Sequence, residues 1–295
     1  MSMRRIEINS LPRAFFFALI ISVWTGLNAV AAGKELHSTN RRAIGLYEEG
    51  LELAEREQFD RALDKLKAAI DTDPRFLEAH LRYMDAFRSV GRGEEVVEMY
   101  STMRDKNPDS PMFNFLYGRT ANDLNEKRAA FRKTLSLDPQ FYYAQFGIGG
   151  SYMLEGRLNE AIMALNKALE IKPGMTDALR LLGSIYMDKG MPLQARTALE
   201  RAITVDSNDV QVLLRLGQTY SQLERYESAE KTFRRAAALE PEEPLFFYYI
   251  GLVCEMNGRP AEAAENLERF LRMAPDHEMA PSVRKMAEKL KKEAG

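Results

Sequence analysis

Between residues 142 and 173 the chain reads YYAQFGIGGSYMLEGRLNEAIMALNKALEIKP. Apolar and small residues recur three and four apart on either side of a short polar break, the spacing of one buried helix face. The pattern predicts two short amphipathic helices, about 142–154 and 158–170, joined by a tight turn. Small residues stand where the helix axes must approach closely: Gly149 on the first, Ala161 and Ala168 on the second. Tyr152 and Leu165 fill the space between them. Gly156 supplies the left-handed conformation that ends a helix. Pro173 stops the second helix, because it lacks an N–H and clashes with the preceding turn.

The same landmarks return at a fixed interval of 34 residues. Gly183, Tyr186, Gly190, Ala195, Leu199 and Ala202 form the next set, with Ser207 in the place of the proline. Gly217, Tyr220, Ala229, Phe233, Ala236 and Pro241 follow, then Gly251, Gly258, Ala263, Leu267 and Pro275. Upstream, Gly50, Ala62, Leu66, Ala69 and Pro74 mark a first unit, and Met84 takes the small-residue position of a second. Pro108 and Pro139 are only 31 residues apart, so the third unit lacks about three residues near 122–127 and should have a shortened first helix. A period of this size is the signature of a stacked array, in which neighbouring helix pairs bury faces that one pair cannot bury alone. The expected fold is all-α, an α-solenoid of about seven helix-turn-helix repeats at 43–76, 77–110, 111–141, 142–175, 176–209, 210–243 and 244–275. After Pro275, Val283, Met286, Ala287 and Leu290 recur at helical spacing with lysines opposite, which predicts a capping helix over 276–295.

The order Gly, Tyr, Ala, Phe or Leu, Ala, Pro resembles the repeating unit of the tetratricopeptide repeat family. The resemblance spans nearly the whole chain after residue 42. It implies a concave surface lined by the first helix of each pair, where peptides bind in that family. Carried over by register, the surface-facing candidates are Met112, Phe115 and Arg119 in the third repeat, Tyr143, Phe146, Gly150 and Met153 in the fourth, Arg180 in the fifth, Arg215 in the sixth, and Tyr248 and Tyr249 in the seventh. Two readings compete for Phe115, Tyr143 and Phe146: packing of the third repeat onto the fourth, or an apolar floor for a peptide or partner helix. Gly147 and Gly150 are a turn apart on this surface with no evident packing role, which favours the second reading. The family's carboxylate clamp for chaperone tails requires Lys and Asn at set positions. Tyr47, Leu51 and Arg82 stand there instead, so that clamp is absent.

The N-terminus departs from this pattern. Arg4, Arg5 and Arg13 precede an apolar run over 14–23, and small residues lead to Ala29-Val30-Ala31-Ala32. This is the order of a secretory signal, with cleavage expected after Ala31 or Ala32. Residues 1–32 are thus expected to direct export, to the periplasm of a bacterium. The alternative is an uncleaved anchor in the inner membrane. Residues 33–42 form a polar, flexible lead-in.

Composition adds few possibilities and removes several. The net charge of −2 gives no basic field for nucleic acid. Cys254 is the single cysteine and occupies the position of Tyr152, Tyr186 and Tyr220, so it is read as a buried core thiol. His37, His80 and His277 lack a second His or Cys at ligand spacing, and no metal site is expected. Gly147, Gly149 and Gly150 lie inside a predicted helix, unlike a phosphate loop. No catalytic constellation and no cofactor site is expected. The reading is a non-catalytic interaction scaffold or adaptor with a protein or peptide partner. The alternative is a membrane-tethered assembly factor acting by self-association, with membrane contact only if residues 1–32 are retained.

Overall fold

A computed structural model describes residues 37–295. The expected signal segment and the start of the lead-in lie outside the described residues. The described chain is all-α: fifteen helices in succession, paired by tight turns. They fall into two compact units that divide after Glu155.

The N-terminal unit holds α1 (Arg41–Glu55), α2 (Phe59–Thr72), α3 (Leu77–Ser89), α4 (Gly93–Lys106), α5 (Pro111–Thr120), α6 (Leu124–Leu137) and α7 (Tyr142–Leu154). Side-chain caps start several of them. Asn40 accepts from the Arg42 and Ala43 amides, Ser110 from Phe113, and Asp123 from Asn125 and Glu126. Within a pair, a glycine on the first helix lets the second helix's large residue come close. A Cβ on Gly50 would lie 2.8 Å from Leu66, and one on Gly118 2.7 Å from Phe131. The second repeat has Met84 in place of that glycine, and α3 and α4 approach each other less closely. Its core is made by Met84 and Tyr100, both fully buried. The Tyr100 hydroxyl donates to His80 Nδ1 at 2.9 Å, and His80 Nε2 donates to the Pro74 carbonyl at 3.0 Å. His80 is therefore a satisfied, neutral core histidine, and burial lowers its pKa to about 4.

The shortened third repeat appears in α5, which has 10 residues against 13 in α3 and α7. The missing turn would have used the carbonyls of Gly118 and Arg119. Lys127 Nζ on α6 takes both instead, at 3.1 and 3.2 Å, and Arg88 Nη2 adds a longer bond to Arg119 O at 3.4 Å.

The end of the lead-in is docked rather than free. Ser38 is buried and its hydroxyl donates to Asp73, while the His37 amide and Nδ1 both engage the Glu78 carboxylate. Residues 37–42 of the expected flexible lead-in are therefore held against the first two repeats.

The C-terminal unit holds α8 (Leu158–Ile171), α9 (Thr176–Asp188), α10 (Pro192–Val205), α11 (Val210–Gln222), α12 (Tyr226–Leu239), α13 (Leu245–Met256), α14 (Pro260–Met273) and α15 (Ala280–Ala294). The glycine rule repeats with Gly183 over Leu199, Gly217 over Phe233 and Gly251 over Leu267. The turns between helices use a positive φ at Gly190 and Gly258, but Glu224 holds the equivalent position at φ 58°, as Glu57 does in the N-terminal unit. On α15, Val283, Ala287 and Leu290 close the core formed by Phe246, Leu267 and Phe270. Lys291 pairs with Glu268 on its outer edge. Cys254 is fully buried in that core, and burial raises its thiol pKa to about 11, which keeps it protonated and unreactive.

Candidate partner-binding faces

The third and fourth repeats carry most of the residues assigned by register, and the structure sorts them into two groups. Met112, Tyr143, Phe146 and Met153 are half-buried and keep accessible surface. Phe115 does not. It is 2% exposed, with its ring 5.7, 5.0 and 5.9 Å from those of Phe131, Phe141 and Tyr143. Its assignment to the binding floor is therefore corrected: Phe115 packs the third repeat onto the fourth. Arg119 is likewise buried, and its guanidinium lies 3.8 Å from Asp85. Burial lowers its pKa to about 10, against the opposing pull of Asp85.

The two glycines on α7 also part company. A Cβ on Gly147 would lie 2.5 Å from the Phe131 ring, so this glycine has a packing role that the periodicity did not reveal. A Cβ on Gly150 would meet nothing within 4 Å, although the residue itself is buried.

A group of charges on the same unit was not singled out from the sequence. Asp85 lies between three guanidiniums: Arg88 at 3.3 Å, Arg82 at 3.7 Å and Arg119 at 3.8 Å. Lys127 completes the group beneath them through its bonds to the end of α5. Its pKa is lowered to about 8 by burial and by the neighbouring Arg88 and Arg119. The signal was available in the register. Arg82, Asp85 and Arg88 precede Gly147, Gly150 and Met153 by one full and one shortened period.

In the C-terminal unit the assigned positions are polar and largely engaged. Arg180 is buried and donates to Asp177 at 2.9 Å, so it is a paired side chain rather than an exposed one. Arg215 is half-buried and donates to Gln218 at 3.3 Å, and Gln218 donates to the Tyr249 hydroxyl at 3.2 Å. Burial lowers the Arg215 pKa, offset by Tyr249 and Asp188. Tyr249 stacks on Phe233, with ring centroids 5.2 Å apart and planes 13° from parallel. Tyr248 packs on Phe270 at 5.8 Å. Both tyrosines are half-buried.

Among the described residues, one group has metal-ligand chemistry: Glu230, Cys254 and Glu262, whose ligand atoms lie within 4.8 Å of one another. Arg259 bonds to both carboxylates and Arg234 lies beside them, so cations already fill the place of a metal ion. No helix among the described residues is long and apolar enough to cross a membrane.

Comparison with known proteins gives a consistent result. Two family models, each described as the tetratricopeptide repeat, match the chain: one over 53–116 and 152–212, the other over 121–176 and 214–278. No curated protein matches it in sequence. Among solved structures, YrrB, described as "a TPR protein with an unusual peptide-binding site", is 23% identical over 64% of this chain and 99% of its own, with a TM-score of 0.56. MamA is 24% identical over 62% of this chain and 93% of its own, with a TM-score of 0.51. PilF of Pseudomonas aeruginosa is 16% identical over 83% of this chain and 98% of its own, with a TM-score of 0.52. At these identities the likeness is one of fold. Together the helix pairs, the glycine contacts that recur between them and the two family models place this chain in the tetratricopeptide repeat family.

Proposed function

We propose that the protein is a non-catalytic interaction scaffold that holds a peptide or partner segment on the first-helix face of its N-terminal unit. The observation that carries this reading is the division on α5 and α7. Phe115 is spent on the core, whereas Met112, Tyr143, Phe146 and Met153 stay half-buried around the open position at Gly150. A few such aromatic and methionine anchors on a preformed surface supply most of the energy of a typical interface. YrrB, which shares the fold and has a peptide-binding site, supports the same use of this architecture.

The N-terminal charge and apolar pattern supports export, with the scaffold acting in the bacterial envelope. N-terminal sequencing of the protein recovered from cells tests this part: a start near Gly33 supports a periplasmic protein, and a start at Met1 supports a membrane-anchored one.

Capture from an envelope extract tests the face itself, with the wild-type chain and a Tyr143→Ala/Phe146→Ala variant as baits. A partner held by the first and lost by a folded form of the second is expected. A partner held equally by both would overturn the assignment. Recovery of the bait alone would favour self-association.

A further inference from the structure

Residues 37–40 link the start of α1 to the start of α3 through one line of hydrogen bonds. Asn40 caps α1 by accepting from the Arg42 and Ala43 amides. The Asn40 amide donates to the Ser38 hydroxyl at 3.1 Å, and that hydroxyl donates to Asp73, in the turn before α3. At the outer end one carboxylate holds His37 twice: Glu78 Oε2 accepts its amide at 3.2 Å, and Oε1 accepts from Nδ1 at 2.6 Å. We propose that His37 and Glu78 form a pH-sensitive latch that ties the lead-in to the array, closed when the imidazole is protonated and loosened when it is neutral. The latch goes beyond the scaffold reading and does not depend on it.

Three observations carry the proposal. The Nδ1 contact is as short as a charge-assisted hydrogen bond, which is about twice as strong as a neutral one. A neutral imidazole can still donate from Nδ1, so loss of the proton weakens the latch rather than abolishing it. The two partners also differ in exposure. The Glu78 side chain is 16% exposed and gains from a cation beside it, while the His37 side chain is 47% exposed and open to exchange of its proton with solvent. Finally, the surroundings hold their charge while histidine titrates. Asp73 is engaged by Ser38 and by the Arg75 amide, and Arg82, one turn after Glu78 on α3, stays charged. Tyr47 on α1 and Tyr142 on α7 also feel the Glu78 carboxylate. Burial raises the pKa of both phenols and Glu78 adds to the rise, against Arg82 at Tyr47 and a hydrogen bond with Tyr143 at Tyr142. Both phenols therefore stay neutral between pH 6 and pH 8. The bond to Glu78 raises the His37 pKa, against burial, and the Glu78 charge adds to the rise. The docked lead-in thus binds the proton more tightly than the undocked one. The extra stability is complete below 6.5, the ordinary histidine value, and is lost as pH rises through the raised value.

The test follows His37 by NMR in isotope-labelled protein recovered from cells. The His37 ring signal, identified by its loss in His37→Gln, should titrate above 6.5 and fall toward 6.5 in Glu78→Gln. Exchange of the His37 and Asn40 amides with solvent, corrected for the intrinsic effect of pH, reads the latch itself. Protection should fall about two- to fivefold from about pH 6 to about pH 8, the range set by a partly exposed ion pair. In His37→Gln the protection of Asn40 should lose this pH dependence, and in Glu78→Gln it should be low at both values. Thermal melts confirm that each variant is folded. A His37 pKa at or below 6.5, the same pKa in Glu78→Gln, or equal wild-type protection at the two pH values would each overturn the proposal.

Discussion

The ring of Phe131 occupies the space that a side chain on Gly147 would need, with its Cε2 2.5 Å from the position of a Cβ there. Phe131 is fully buried and faces Gly118 on its own repeat in the same way, so its ring cannot swing aside. Gly147→Ala should therefore destabilise the protein by about 1–3 kcal/mol through overpacking, less the gain of about 1 kcal/mol in helix propensity. Gly150→Ala, one turn on, meets no atom within 4 Å and should stabilise by up to about 1 kcal/mol. Urea unfolding of the two variants should show midpoints displaced in opposite directions.

Phe115 and Phe146 stand at equivalent register positions, yet only Phe115 is fully buried. Phe115→Ala should cost about 3–5 kcal/mol of stability, the usual loss for a buried phenylalanine. Phe146→Ala should cost much less and act on partner affinity instead. Thermal melts of the two single variants make the comparison, and similar melting temperatures would mean that the two rings share one environment.

Glu57 and Glu224 hold a left-handed conformation, φ 58° in both, at the turn position where Gly91, Gly156, Gly190 and Gly258 stand in other repeats. An L side chain in this region carries a strain of about 1 kcal/mol that glycine avoids. Glu57→Gly and Glu224→Gly should each raise stability by up to about 1 kcal/mol, read as a higher melting temperature. Because the two sites lie in different units, the double variant should show nearly the sum.

His80 gives the fold a dependence on acid. Its folded pKa, about 4, lies below the 6.5 of an exposed histidine, so the unfolded chain binds the extra proton more readily. The stability from the neutral ring is complete above pH 6.5 and is lost as pH falls from there toward 4, by on the order of 2–3 kcal/mol. Replacing His80 and Tyr100 together with phenylalanine should flatten this part of the stability profile. An unchanged slope in urea melts between these pH values would show that His80 does not titrate as its surroundings imply.

Most of the fold could be read from the period, because glycine, alanine and proline at fixed intervals constrain backbone approach and helix ends directly. The surface was less legible, and the errors have a common cause. Periodicity locates Cβ positions but not the reach of what packs over them. At the position of Leu66, Leu199 and Leu267 the third repeat has Phe131, which reaches to the following repeat and makes Gly147 a contact point. In the sixth repeat Phe233 makes the same reach, and there Tyr249, the register equivalent of Gly147, stacks on it. Phe115 was misplaced because Phe131, Phe141 and Tyr143 close over it, a coincidence of three large rings that spacing does not announce. The cluster around Asp85 depends on Arg119 of α5 reaching back to α3 of the preceding repeat, a contact between helices that spacing along the chain does not announce.

The Lys127 ammonium does the work of a missing helical turn. Two carbonyls that three more residues would have served are held by a single long side chain arriving from the next helix. A repeat array can therefore be shortened without losing step, provided the deletion and a lysine are inherited together. For anyone building such arrays, this offers a portable splice: remove three residues from the end of a first helix, place a lysine early in the second, and the repeat length becomes adjustable rather than set at 34.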